Sequence, residues 1–173
     1  MKHIDITKVT QEDIFQLQKI GRETFFETFS AENTEENMKS YLEEGFSYEK
    51  LMAEVTNLYS EFYFAKSEHE VVGYLKLNFA PSQTELNDNK SLEIERIYVL
   101  NEFHGKKVGQ ALYEKSLIRA KQKNLDYIWL GVWEKNLRAI YFYKKNGFLE
   151  FDKHVFKLGE DEQIDIMMKL QIK

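Results

Sequence analysis

Two glutamates in one predicted strand are the side chains of this sequence best suited to acid–base chemistry. Residues 91–100 alternate apolar and polar side chains, a pattern typical of a strand with one buried face. Because side chains two residues apart share a face, Glu93 and Glu95 are predicted to point the same way as Ile97 and Val99. Two carboxylates together attract a cationic amine, and one of them could also accept its proton. Whether they take that proton or only orient the amine stays open.

A glycine-containing loop at residues 103–111 is the second feature with chemical potential, because it lies between that strand and an amphipathic helix. Gly105 and Gly109 let backbone N–H groups converge, and the start of a helix leaves its first N–H groups unpaired at the positive end of its dipole. Such a turn can bind a diphosphate, with Lys106 and Lys107 adding positive charge. Strand–glycine–helix junctions are common, so a purely structural turn is the alternative.

Hydrophobic periodicity predicts the elements that must position these groups. The predicted strands are residues 3–9, a hairpin from 61 to 78, and residues 91–100, 126–132, 148–156 and 163–170. The predicted helices follow the capping pair Thr10 and Asp13, follow a cap at Asn33 or Thr34, span 48–55, begin after the glycine loop, and span 136–146. Residues 79–90 hold the one proline and are predicted to form a mobile loop.

Composition narrows the function further. The chain has no cysteine, which excludes a cysteine nucleophile and a covalent thioester on the enzyme. Its net charge of −5 disfavours nonspecific nucleic-acid binding and tolerates a cationic substrate. The sequence contains no apolar run long enough to span a membrane, so we expect a soluble, cytoplasmic protein. The length favours a single domain over residues 1–173, and four histidines without ligand-like spacing predict no metal site.

Two segments in order resemble the hallmarks of GNAT acetyltransferases. The first is Ile97-Tyr98-Val99 followed by His104-Gly105-Lys106-Lys107-Val108-Gly109. It resembles the acyl-CoA motif of that family: Arg or Gln, two residues, Gly, one residue, then Gly or Ala. His104 replaces the usual Arg or Gln, and Lys107 replaces the first usual Gly. A lysine at 107 still presents its N–H to a ligand if its φ stays negative.

The second segment contains Asn136, Ala139 and Tyr143, followed by Gly147-Phe148, and resembles the other motif of the family. Asn136 and Tyr143 are about two helical turns apart and therefore lie on one helix face. A helix cap and a core tyrosine are the structural alternative. The resemblance implies that Tyr143 is the general acid that protonates the leaving CoA thiolate. It also implies that Glu95 is the base acting through a water, with Glu93 beside it.

The resemblance implies a fold and a co-substrate as well. The fold would be α/β (α+β), with a central mixed, mostly antiparallel sheet that is splayed at the strands carrying Val99 and Trp129 and flanked by helices on both faces. The co-substrate would be acetyl-CoA, with direct transfer in a ternary complex. The implied CoA-binding residues are Ile97, Tyr98, Val99, His104, Gly105, Lys106, Lys107, Val108, Gly109, Gln110, Asn136, Ala139, Tyr143 and Lys145.

Longer segments, such as residues 23–29, 91–98 and 128–136, resemble PaiA-type spermidine/spermine acetyltransferases, which implies a small polyamine as acceptor. Phe25, Phe29 and Tyr41 could line a channel for its methylene groups, with core packing as the alternative. Glutamates on the first helices could attract it, unless they are simply solvated: Glu27, Glu32, Glu35, Glu36, Glu43 and Glu44. A GNAT acting on protein or peptide amines, and a non-catalytic acetyl-CoA-binding regulatory module, are the other hypotheses. The oligomeric state stays open, a homodimer included.

Overall fold

The computed structural model of the chain describes residues 3–173 and contains a seven-stranded sheet flanked by helices. The strands are β1 (Ile4–Lys8), β2 (Ser60–Ser67), β3 (Glu70–Phe79), β4 (Ser91–Val99), β5 (Tyr127–Trp133), β6 (Leu149–Leu158) and β7 (Asp161–Gln171). The main helices are α1 (Ile14–Phe29), α2 (Glu35–Gly45), α3 (Tyr48–Thr56), α4 (Val108–Gln122) and α5 (Leu137–Lys145). The predicted strands and helices are therefore confirmed, with ends shifted by a residue or two. Within residues 3–173, the helices are too short or too polar to cross a membrane.

The sheet is mixed, mostly antiparallel and splayed, as predicted. Its strand order is β1-β2-β3-β4-β5-β7-β6, and only the central pair β4 and β5 is parallel. That pair is short, because it runs from Ser91 opposite Tyr127 to Ile94 opposite Leu130 and then stops. Beyond this point the two strands diverge, so the sheet opens along residues 95–99 of β4 and 131–133 of β5.

A hydrophobic core lies on each face of the sheet. On one face, α1, α2 and α3 pack over a core that includes Phe25 and Phe62. On the other face, α4 and α5 pack over a core that includes Tyr63 and Leu112. Phe62 and Tyr63 are neighbours on β2 but belong to opposite cores, because side chains alternate along a strand. The prediction of helices on both faces is confirmed.

A β-bulge at Glu95 corrects the predicted arrangement of β4. Lys76 of β3 pairs with Arg96 and Leu77 pairs with Ile94, so Glu95 is an extra residue without a partner on β3. One extra residue reverses the alternation of side chains beyond it. Ile94 and Ile97 therefore both face the α4–α5 core. The prediction that Glu93 and Glu95 share a face with Ile97 and Val99 is wrong.

Residues 80–90 form a loop, as predicted, but hydrogen bonds fasten it to the sheet. The Gln83 amide is buried and donates to the Ser91 carbonyl at 2.9 Å, while its oxygen accepts from the Trp129 indole N–H at 3.2 Å. The Thr84 backbone N–H donates to Glu93 at 2.9 Å. Because these bonds tie the loop to both central strands, it forms part of the wall beside the opening. The expectation of a mobile loop missed this anchoring, since Gln83 and Thr84 meet their partners only in the folded chain.

Candidate active site

A cavity of about 1000 Å³ passes through the opening between β4 and β5. Its wall includes Val108 and Tyr143 from the α4–α5 core, and also Phe25 and Phe29 from the core on the other face. The cavity therefore joins the two faces of the sheet. We call its two parts the α4–α5 arm and the α1–α2 arm. Such a shape can accept two molecules from opposite faces and bring them together at the opening.

The α4–α5 arm is bounded by the turn before α4. Gly105 and Lys107 have φ angles of +75° and +64°, in the left-handed region. The condition of a negative φ at Lys107 is therefore not met, and the lysine adopts a conformation that costs a non-glycine residue roughly 1–2 kcal/mol. Ala111 N–H donates to the Lys107 carbonyl at 3.0 Å, so hydrogen bonding along α4 begins there. The earlier N–H groups at the start of α4 are left for another partner.

The space in front of this turn is open. A Cβ atom added at Gly105 or at Gly109 would meet no other atom within 4 Å. The positive end of the α4 dipole faces this space, and the cations Lys107, Arg138 and Lys145 stand in the cavity wall. Open N–H groups, positive charge and free volume together fit a diphosphate.

In the usual motif, the arginine or glutamine at this position can donate to a ligand from a charged group or an amide. His104 does not take over that role. Its Nε2 lies 2.7 Å from the Val99 carbonyl oxygen. Because a carbonyl only accepts, Nε2 must carry the proton, and the longer 3.4 Å approach of the Arg138 guanidinium is not a second hydrogen bond to it. Burial and the nearby Arg138 charge lower the pKa of His104. His104 thus fastens the turn to the end of β4 as a neutral ring.

Every predicted CoA-binding residue except Lys106 contributes to the cavity wall. The Lys106 amino group lies 4.7 Å from the centre of the Phe103 ring, outside that wall. Arg138 is a wall residue that the sequence analysis missed. The signal for it was available, since Arg138 lies between the motif residues Asn136 and Ala139.

Asn136 and Tyr143 lie at the start and near the end of α5, as their spacing predicts. The Asn136 side-chain oxygen accepts from the Ala139 N–H at 3.2 Å, so Asn136 caps the helix while it also lines the cavity. Tyr143 is 6% exposed, and burial raises the pKa of its hydroxyl. Within residues 3–173, this hydroxyl has no hydrogen-bond partner. A neutral, unpaired phenol at the cavity wall can donate a proton to a ligand atom.

Glu93 and Glu95 lie close together, but on the face of the sheet that α1, α2 and α3 cover. The Asn78 side-chain amide donates to both carboxylates, at 3.1 Å to Glu93 and 2.6 Å to Glu95. Burial raises the pKa of Glu93, against the opposing effect of hydrogen bonds from Thr84 and Asn78. Burial also opposes ionisation of Glu95, but the positive charges of Arg96 and Lys76 outweigh it and lower the pKa of Glu95. The two carboxylates therefore have different proton affinities.

Glu95 belongs to a compact set of four charged side chains that we call the ion cluster: Glu54, Lys76, Glu95 and Arg96. The Lys76 amino group lies 2.6 Å from Glu95 and 3.3 Å from Glu54. The Arg96 guanidinium lies 3.0 Å from Glu54 and 3.4 Å from Glu95. Lys76 is only 5% exposed, so water contributes little to its charge compensation. The sequence analysis missed this cluster, although a lysine amid the apolar residues of β3 was a visible signal.

The α1–α2 arm has aromatic walls, and Phe25, Phe29 and Tyr41 line it as proposed from the sequence. The Phe25 and Tyr41 rings stack at 4.3 Å, and the Phe29 ring lies 5.0 Å from Trp133. The acidic residues on the first helices are absent from this wall, which instead receives Glu85, His154 and Asp165. Glu85 lies in the loop, His154 in β6 and Asp165 in β7. All three are far from the first helices in sequence, and sequence patterns did not single them out.

A splayed sheet, an open helix N-terminus at the splay and a through-cavity define an acyl-CoA-dependent N-acyltransferase. The model of the Acetyltransferase (GNAT) family matches residues 18–148. An uncharacterised N-acetyltransferase from Lactobacillus delbrueckii subsp. lactis is 39% identical over 169 residues, which are 98% of each chain. The chain therefore belongs to the GNAT acetyltransferase family.

Two further similarities are to proteins from Thermoplasma acidophilum. The spermidine N(1)-acetyltransferase of that organism is 30% identical over 149 residues, covering 84% of this chain and 88% of the relative. A crystal structure of PaiA N-acetyltransferase from that organism, in complex with coenzyme A, superposes with a TM-score of 0.80 at 27% identity, over 98% of this chain and 99% of the other. Acetyl-CoA is accordingly the acyl donor, and the open turn and cations of the α4–α5 arm fit it.

A side chain added at Gly109 tests whether the turn before α4 holds the CoA diphosphate. We expect Gly109→Leu to weaken coenzyme A binding by more than about tenfold, because the side chain would fill the open space at the N–H groups. The fold should not suffer, since leucine favours a helix by up to about 1 kcal/mol relative to glycine. Calorimetric titration with coenzyme A and a thermal melt measure both effects, with Gly109→Ala as the matched small substitution. Undiminished affinity in Gly109→Leu would place the diphosphate elsewhere.

Proposed function

We propose that this chain transfers the acetyl group of acetyl-CoA to a primary amine of a small polycation, a polyamine such as spermidine. The observation that carries the proposal is the cavity that joins an anion-binding turn on one face of the sheet to an aromatic, carboxylate-containing arm on the other. Aromatic walls suit methylene segments and carboxylates suit ammonium groups. The spermidine N(1)-acetyltransferase of Thermoplasma acidophilum, a relative at 30% identity, supports the same acceptor class.

Bound acetyl-CoA would supply the acetyl group as a thioester, whose C–S bond breaks as the acceptor's C–N bond forms to give CoA thiol and an N-acetyl amine. The amine must first lose a proton, which costs about 4.6 kcal/mol at pH 7 for a pKa near 10.4. The sulfur must gain one, because a thiolate leaves less readily than a thiol. We assign the second proton to Tyr143, whose raised pKa keeps the hydroxyl protonated until it is needed.

The first proton has two candidate acceptors, and we propose Glu93 for that role. Its pKa is raised by burial, which makes it a stronger base than Glu95, whose pKa is lowered by Arg96 and Lys76. A carboxylate offers about four lone-pair sites, and among residues 3–173 three donor contacts reach Glu93, from Asn78 and Thr84. One site therefore remains for a water that carries the proton. Glu95, the base that the resemblance implies, is then a positioning residue: it pairs with Lys76 and Arg96 and accepts from the Asn78 amide that also donates to Glu93.

A thiol-release assay over a panel of amines tests the acceptor class. We expect the highest kcat/KM for spermidine, spermine and aliphatic diamines. Amino acids and peptides should be at least about tenfold lower, since each lost charged contact weakens binding by roughly 1.5–3 kcal/mol. Aminoglycosides should also be at least about tenfold lower, because their rigid rings replace the methylene chain that the aromatic wall suits. A preference for peptides would favour a protein or peptide acetyltransferase. Tight coenzyme A binding without turnover of any amine would favour a regulatory module.

We also propose that residues 1–173 form one domain, since strands from both ends of the chain join one sheet.

A further inference from the structure

Asp165 stands out among the carboxylates of the cavity wall. It lies on β7, directly opposite Trp133 of β5 and His154 of β6, and so faces the α1–α2 arm with the Trp133 ring. Gly131 of the paired strand β5 lies beside it: a Cβ atom added there would lie 3.4 Å from an Asp165 carboxylate oxygen. Because glycine has no side chain, this oxygen is left uncovered on the side of the splay.

The Asp165 carboxylate also lacks a hydrogen-bond donor. Glu93 has donors from Asn78 and Thr84, and Glu95 has the ion cluster, but across residues 3–173 no donor reaches Asp165 within hydrogen-bond distance. Burial raises the pKa of Asp165, and the neighbouring His154 opposes that shift. The His154 Nδ1 is buried without a partner, and its Nε2 lies 3.7 Å from Glu85. A half-buried carboxylate without a donor is costly, unless a ligand supplies the positive charge.

The position of Asp165 relative to the proposed chemistry decides what it would bind. Asp165 shares a face of the sheet with Trp133, whose ring packs against Phe29 in the aromatic wall of the α1–α2 arm. Tyr143, in contrast, belongs to the core on the opposite face of the sheet. Asp165 is therefore closer to the aromatic wall than to the tyrosine that would face the thioester sulfur. A cation held there is not the nitrogen that is acetylated.

We infer that Asp165 binds a second, non-reacting ammonium group of the acceptor and so selects diamines and polyamines over monoamines. This inference rests on the proposed function and names the residue behind its acceptor preference. Trp133 beside it offers a ring to the same cation, and Tyr41 lines the same cavity. Aromatic rings strengthen ammonium binding where water is excluded. Asp165 would thus be a specificity-determining residue that contacts the substrate.

A comparison of two acceptors of equal chain length isolates this role. We expect Asp165→Asn to raise the KM for 1,5-diaminopentane by about 10- to 100-fold, as the loss of a charge-assisted contact implies. The KM for pentylamine, which lacks the second ammonium, should change by less than about threefold, as for a substitution that removes no contact. Both kcat values and the affinity for coenzyme A should stay near those of the wild type. Glu162→Gln, an exposed carboxylate on the same strand, is the matched control and should leave both KM values unchanged.

The outcomes separate this inference from the proposed function. Equal losses for the diamine and the monoamine, or a loss confined to kcat, would overturn it while the acetyltransferase proposal stands. Wild-type protein that neither acetylates nor binds spermidine or 1,5-diaminopentane, in calorimetry with coenzyme A present, would overturn both. A melting temperature of Asp165→Asn near that of the wild type shows that a raised KM does not come from misfolding.

Discussion

Replacing Tyr143 with phenylalanine should lower kcat by about 100- to 10,000-fold, the range expected when a general acid is removed. The phenylalanine ring keeps the packing of a side chain that is 6% exposed and belongs to the core beneath α5. Coenzyme A affinity and thermal stability should therefore change little. Single-turnover measurement with saturating acetyl-CoA and spermidine checks the effect on chemistry, separately from product release.

Tyr113→Phe is the matched control for this experiment. Tyr113 is a buried tyrosine of α4 whose ring packs at 6.0 Å from Phe148, and it is outside the cavity wall. Its substitution also removes one phenolic hydroxyl from the same core, but it should leave kcat unchanged. Full single-turnover activity in Tyr143→Phe would mean that the sulfur receives its proton from another donor.

Removing one cation from the ion cluster should have the largest effect on stability. We expect Lys76→Met to lower the free energy of unfolding by about 3 to 5 kcal/mol, because Glu54 and Glu95 would then share the single charge of Arg96. Methionine keeps most of the volume, so the loss reports charge more than packing. Urea unfolding at pH 7 measures it. Lys157→Met, which removes a mostly exposed cation 3.7 Å from Glu162, should cost less than about 0.5 kcal/mol.

The difference in free energy of unfolding between the wild type and Lys76→Met should become smaller as the pH is lowered. Although burial opposes ionisation, Arg96 and Lys76 lower the pKa of Glu95 in the folded protein. The stabilisation from this group is therefore complete above its unfolded-state pKa, about 4.3, and is lost as the pH falls through the lower folded-state value. A difference that stays constant from pH 7 to pH 3 would show that Lys76 stabilises by packing instead.

The sequence predicted the elements well because helix and strand signals are local. The Thr10–Asp13 capping pair, the hairpin and the glycine-flanked helices all depend on residues close together in the chain. The bulge at Glu95 was missed because strict alternation of side chains along β4 puts Glu93 and Glu95 on the same face as Ile97 and Val99. The apolar residues of β4 carried the correct signal, since Ile94 and Ile97 are three apart and only an extra residue brings both to one core.

The candidate site could be predicted only where its residues form a contiguous motif. The turn before α4 and the face of α5 satisfy that condition, and their residues line the cavity, with Lys106 as the exception. The ion cluster and the Asp165 environment do not, because their members come from separate strands, helices and loops. Lys76 meets Glu54 and Arg96 only after β3, α3 and β4 have packed. Such contacts depend on the tertiary fold, and the spacing of residues in the sequence does not predict them.

The short pairing of β4 with β5 has a consequence for cooperativity. Four residue pairs join the four strands on one side of the sheet to the three on the other. This seam is the place where the two halves can separate with the loss of the fewest backbone hydrogen bonds, so amide hydrogens near it should exchange faster than those of β2 and β3. A molecule lodged in the gap touches both halves and would couple them, which makes amide protection on either side a direct report of occupancy.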